Sequence, residues 1–90
     1  MTIQKQFDSF HAHNPQIYQA FARFTFHVIA RGFKRFSADA IMHRVRWETN
    51  VEYRGYRYKI NNNFVALYAR LFMKDFPQYS GFFEIRQRRA

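Results

Sequence analysis

Cysteine is absent from the chain. That removes disulfide scaffolds, cysteine-ligated zinc, iron–sulfur clusters and thiol catalysis. A secreted domain this small ordinarily needs disulfide staples, so the absence favours an intracellular home, the cytoplasm. No run approaches the roughly 18 apolar residues of a membrane span, and no membrane partner is expected. Met1 to Phe10 carries Lys5 but neither an apolar stretch nor a small-residue cleavage site, so no signal peptide is expected. Glycine and proline total five, too few for a disordered basic tail. Acidic residues number six and are scattered, with no DxD, ExxH or HExxH spacing. P-loop and GxSxG motifs are missing as well. A nuclease would cluster its carboxylates around metal ions; this chain does not, and the expectation is a protein that is not an enzyme.

What the chain has is positive charge and rings. Lysine and arginine number 15, giving a formal net charge of +9, and 11 of the 15 are arginine. The planar guanidinium grips phosphate and stacks on bases better than an ammonium does. Charge is spread along the fold, with +4 in residues 1–36, +2 in 37–60 and +3 in 61–90. Self-repulsion of this size works against a compact state, and a polyanionic partner is the usual reason to tolerate it. A solvated basic surface that merely aids solubility is the plainer reading. Twelve Phe, six Tyr and one Trp make 19 aromatics in 90 residues, so the core of what must be one domain is built largely from rings.

Along the chain, residues 1–13 read as an N-terminal arm whose Phe7 and Phe10 dock on a single domain spanning 14–90. Asn14-Pro15 predicts a helix start, Asn as N-cap and Pro in the first turn, with Gly32 as the left-handed stop after Arg31. Ile17, Phe21, Phe24 and Val28 share a stripe, while Gln16, Gln19, Arg23, His27 and Arg31 take the opposite side. Phe33-Lys34-Arg35-Phe36 alternates as a short strand or an extended lead-in to the next helix. Ser37 caps a second helix with Ala38, Ile41, Met42 and Val45 inward, His43 and Arg46 outward and Trp47 near its end. Residues 50–60 read as a hairpin or loop ending in a strand, with Tyr56, Tyr58 and Ile60 on one face and Arg57 and Lys59 on the other. Asn61-Asn62-Asn63 leads into a third helix from Phe64 to about Phe76, stopped by Pro77. Its buried stripe is Phe64, Tyr68, Leu71 and Phe72; its outer face is Ala66, Ala69, Arg70, Met73 and Lys74. Phe82 to Gln87 alternates as a final strand, a natural partner for the one ending at Ile60. The sum is an α+β fold, a small winged-helix-like domain with three helices packed on a two- to three-stranded antiparallel sheet.

The stretches RFSADAIMHRVRWET, YRYKINNNFVALYARLFMKDFP and GFFEIR resemble a group of small phage- and prophage-encoded proteins of unassigned function with a winged-helix-like pattern. The resemblance covers roughly residues 13–86 and is most distinctive at the Asn triplet. It implies a bacterial-virus setting and a fold, and brings no residue roles with it. The chain departs from a compact helix-turn-helix in one respect: residues 49–62 are longer than that motif's three- or four-residue turn.

The candidate site is a nucleic-acid surface. Arg70 and Lys74 lie one turn apart on the third helix with Asn63 in line, and small Ala66 and Ala69 let the backbone approach a major groove. Arg pairs bidentately with guanine, Asn with adenine, and backbone amides at a helix start take phosphate. Capping is the plainer role for Asn62 and Asn63, and solubility the plainer one for Arg70 and Lys74. Arg57 and Lys59, with Arg86, Arg88 and Arg89 on the partner strand, form a basic ribbon suited to a duplex backbone or minor groove, where a charged edge strand is the ordinary alternative. Tyr56 and Tyr58 offer a stacking platform for RNA or single strands, or pack on the inner sheet face. His11 and His13 have the spacing of two metal ligands on an extended segment, yet no acidic cluster joins them; no metal and no cofactor are expected. Glu48 and Glu52, among arginines, read as ion-pair partners. Duplex DNA is the leading partner, with the protein a regulator or DNA-processing accessory. The rival is an inhibitor or adaptor that blocks a host protein, motivated by the surplus of Phe, Tyr and Arg. A homodimer stays open.

Overall fold

Four α-helices and one 3-10 turn make up the regular structure among the residues that the computed structural model describes, 2–49 and 60–84. They are α1 (Ile3–His13), α2 (Pro15–Ala30), α3 (Ala38–Trp47) and α4 (Phe64–Asp75), with the turn at Pro77–Tyr79. Among these residues there is no strand, so the α+β, winged-helix-like expectation is overturned in favour of a helical globule.

The physical reason is visible in the segments that alternate in sequence. In a strand, residues i and i+3 point to opposite faces. Phe33 and Phe36 instead meet edge to face with centroids 5.4 Å apart, in a non-helical link between α2 and α3. Phe82 and Phe83 should alternate in and out, yet both are buried and their rings pack at 5.0 Å. Those residues close the core as a wrapped tail. The Phe36 amide donates to the Phe82 carbonyl at 3.2 Å, tying this tail to the α2–α3 link by one bond. Ile60 is buried without strand geometry, and the rest of that expected strand lies outside the described residues, as do residues 85–90.

Residues expected to form an arm are helical. Thr2 caps α1, its hydroxyl accepting from the Lys5 amide, and Phe7 is buried on the domain with Phe10 half-buried beside it. Asn14 then ends one helix and starts the next. Its amide donates to the Phe10 and His11 carbonyls and its side-chain Nδ2 to the Phe10 carbonyl at 3.0 Å. Its own carbonyl accepts from the Ile17 amide. Asn14 sits at the α2 N-cap as the sequence implies, but its side chain serves α1. Pro15 opens α2 and Gly32, at φ +94°, follows its end.

Ser37 caps α3 through the Ala40 amide, with Asp39 in the first turn where the helix dipole favours an acid. The expected inward residues hold: Ile41, Met42 and Val45 are buried and Ala38 half-buried. Ile17 and Phe21 are buried on α2, joined by Ala20 and by Thr25, whose hydroxyl donates to the Phe21 carbonyl at 2.7 Å.

Helix α4 touches α1, α2, α3 and the 3-10 turn, so its buried arc is broader than a one-sided helix needs. Phe64, Val65, Tyr68, Ala69 and Phe72 are all buried. Two nests of rings form along it. Around Tyr68 lie Phe7 at 4.7 Å, Phe21 at 5.8 Å, Tyr18 at 6.3 Å and His11 at 6.4 Å. Around Phe72 lie Phe76 at 4.9 Å, Phe26 at 5.2 Å and Phe83 at 5.8 Å.

Candidate nucleic-acid interface

At about 100° per residue, the centre of the α4 core arc puts Ala66, Arg70 and Lys74 opposite it, and Asn63 continues that line at the N-cap. All four are exposed. Arg70 and Lys74, one turn apart, therefore stand where the sequence places them. Two outward residues do not. Ala69 is buried and Met73 half-buried, its sulfur accepting from the Gly81 amide at 3.3 Å. The tail and neighbouring helices cover that side, so Ala66 alone of the two alanines lies on the open stripe. Leu71, expected inward, is half-buried at the other margin.

The Asn triplet is a structured lead-in, and capping works differently from the sequence reading. Asn61 does the local work: its Oδ1 accepts from the Asn63 amide at 2.9 Å and its carbonyl from the Phe64 amide at 2.9 Å. Neither Asn62 nor Asn63 caps α4 with its side chain; Asn63 sits at the N-cap without a side-chain cap bond. Asn62 Oδ1 accepts from Arg46 at 2.7 Å, and the same guanidinium donates to the Ile60 carbonyl at 3.3 Å. Arg46, expected to point outward, is a clamp between α3 and the α4 lead-in. Arg57, Lys59, Arg86, Arg88 and Arg89, with Tyr56 and Tyr58, lie outside the described residues.

Two of the described acids, Glu48 and Asp75, are engaged by residues of other elements. Arg23 donates to both carboxylate oxygens of Glu48 at 2.6 and 2.7 Å, with the Glu48 side chain 12% exposed. That realises the ion pairing expected of Glu48; Glu52 lies outside the described residues. Asp75 accepts from the Tyr18 hydroxyl at 2.7 Å. Burial, then the hydrogen bond and charge of Asp75, hold the Tyr18 phenol well above the ordinary tyrosine range, so it stays a neutral donor. By contrast Lys5, Arg31, Lys34, Arg35, Arg70 and Lys74 are exposed, and the only ion pair between described residues is Arg23–Glu48.

His11 and His13 sit on a helix rather than an extended segment, about 200° apart around its axis. His13 Nδ1 is 2.7 Å from the Ser9 carbonyl, and His11 stacks on Phe7. The two rings do not converge. Among the described residues no group of three or more His, Cys, Asp or Glu could hold a metal ion.

Sequence reasoning missed two exposed rings, Phe33 at 53% and Trp47 at 56%. For Trp47 the signal was present: it lies about 180° from the Ala38, Ile41, Met42 and Val45 arc at helical spacing. Ala40, His43 and Arg44 share that open face. Arg44 is held there, its guanidinium 5.4 Å from the Phe24 ring centroid, which Arg23 also covers at 4.8 Å.

Fold and surface together define a small, strongly basic helical protein with an aromatic core. No described helix is long and apolar enough to cross a membrane. Comparison with protein-family models, with curated proteins and with solved structures gives no match.

Proposed function

We propose that the protein binds duplex nucleic acid, DNA foremost, without catalysing a reaction on it, through the outer face of α4. The observation that carries this reading is the +9 charge together with the exposed Arg70–Lys74 pair, which no described acid neutralises. A major groove about 12 Å wide admits an α-helix, and Ala66 between Asn63 and Arg70 keeps the face narrow at its first turn. Arg70 and Lys74 engage phosphates or base edges, and Asn63, exposed at the helix start, lies beside them. The work is that of a regulator or a DNA-processing accessory, in the cytoplasm of a bacterial host cell, the setting implied by the phage-protein resemblance. Arg57, Lys59, Arg86, Arg88 and Arg89 add to the same positive field.

The test is duplex binding across a range of salt by wild type and the Arg70→Ala/Lys74→Ala double variant. Each lost phosphate contact flattens the slope of log affinity against log salt by about 0.9. The double variant is expected to bind more weakly and to flatten the slope by about 2. An unchanged affinity and slope would remove α4 from the interface.

A further inference from the structure

Trp47 is the only tryptophan in the chain, and it is more than half exposed at the end of α3. Exposed single apolar side chains are common on protein surfaces, but the surroundings of this one are unusual. Its neighbours on the same face, at i−3 and i−4, are Arg44 and His43, with small Ala40 a further turn back. The adjacent acid, Glu48, is turned inward and paired with Arg23. Arg46, the next cation, is tied to Ile60 and Asn62. Arg44 is positioned against Phe24 while staying exposed. The outer face of α3 thus ends in a bare indole with a pre-positioned guanidinium one turn away.

We infer that Trp47 is a stacking site for an unpaired nucleobase, with Arg44 and His43 taking the flanking phosphates, so that the protein binds single-stranded nucleic acid on α3. The inference rests on the nucleic-acid reading above and adds a second face to it. Charge complementarity selects the occupant. A second copy docking symmetrically would bring Arg44 near its own counterpart on a chain of net charge +9. An anionic strand meets the Arg44 guanidinium favourably. The preference for an unpaired base follows from geometry. In a duplex both faces of each base are covered by its neighbours, and a ring on the side of a helix reaches only base edges. An unpaired base presents its whole face to an indole.

The sole tryptophan makes the test direct. Wild-type protein is titrated with a short single-stranded DNA and, separately, with the matching duplex, following intrinsic tryptophan fluorescence. A parallel titration follows the anisotropy of labelled strands. Saturable quenching by the single strand, greater than that by the duplex, is expected. Trp47→Ala is expected to lose about tenfold in single-strand affinity and Trp47→Phe, which keeps a ring, much less. Because Trp47 is exposed, both variants are expected to keep the wild-type circular dichroism. Single-strand binding with unaltered fluorescence, or quenching no greater than that by the duplex, overturns the stacking site, and so does wild-type affinity in Trp47→Ala. Anisotropy separates the two proposals. Duplex binding with no quenching by the single strand sinks Trp47 alone, whereas no binding to either strand form sinks the nucleic-acid reading itself.

Discussion

Two seams hold this protein together, and they are built from opposite materials. Where α1 and α2 meet α4, the contact is mainly ring on ring, with Phe7, Tyr18 and Phe21 around Tyr68 and one polar bond, Tyr18 to Asp75, at its edge. Here two polar atoms, the Tyr68 hydroxyl and His11 Nδ1, are buried without a hydrogen-bond partner among the described residues. Where α2 meets α3, the margin is polar, closed by Arg23 on Glu48 and by Arg23 and Arg44 over Phe24. The first seam tolerates unmet hydrogen bonds because aromatic burial outweighs them. The second uses its acid to hold an arginine, and no other ion pair joins the described residues. The comparison teaches where stability and charge reside. Rings fasten the inside of α4, and the outward stripes of α3 and α4 stay exposed.

The aromatic seams should be the harder to break without unfolding. Phe72→Ala deletes a fully buried ring touching Phe26, Phe76 and Phe83. Chemical denaturation is expected to show a loss of about 3–5 kcal/mol. At the polar seam, Arg23→Ala strips the bidentate donor from Glu48, a largely buried carboxylate. Its cost should be about 1–2 kcal/mol, because the arginine half of the pair faces water.

A smaller effect sharpens the contrast. Tyr68→Phe removes the unpartnered hydroxyl and is expected to leave stability at neutral pH unchanged or raise it by up to about 1 kcal/mol. Burial holds the Tyr68 phenol well above its ordinary range in the folded state. The unfolded chain ionises that phenol near pH 10, so above that pH it binds fewer protons than the native state. Folding stability should therefore be complete below about pH 10 and fall above it, by up to about 1.4 kcal/mol per pH unit from this group. Tyr18, raised in the same direction, adds to the fall. Denaturation midpoints of wild type and Tyr68→Phe should diverge in alkali, and parallel curves would show that Tyr68 titrates normally. Smallest of all, Arg70→Ala/Lys74→Ala should move stability by no more than about 0.5 kcal/mol while weakening duplex binding.

Helices α2, α3 and α4 were legible in the sequence because each carries its own punctuation, whereas α1, whose residues read as an arm, was not. Asn14-Pro15, Gly32, Ser37 and Pro77 mark ends that the structure keeps. The strands misled because alternation was read where two rings simply needed to be buried. Phe82 and Phe83 are adjacent and both inside, and Phe33 and Phe36 touch across a turn rather than along a strand. In so aromatic a chain, a phenylalanine every second or third residue marks demand for core rings as readily as a period of two. Helix α4 shows a subtler limit. Its punctuation gave its length, but Ala69 and Leu71 depended on how many neighbours surround it, which is tertiary information. On the candidate face, Arg70 and Lys74 were legible from period alone, and so in principle was Trp47. Arg46 was not, since its partners at Ile60 and Asn62 are reached only after the chain returns.

The central claim, that the outward charge is there to meet nucleic acid, is tested most directly by wild-type affinity for a labelled duplex measured from low to high salt. A steep linear fall of log affinity with log salt is expected, with a slope of about −0.9 for every phosphate engaged. A slope near zero, or no binding at low salt, would contradict it and make the positive surface incidental.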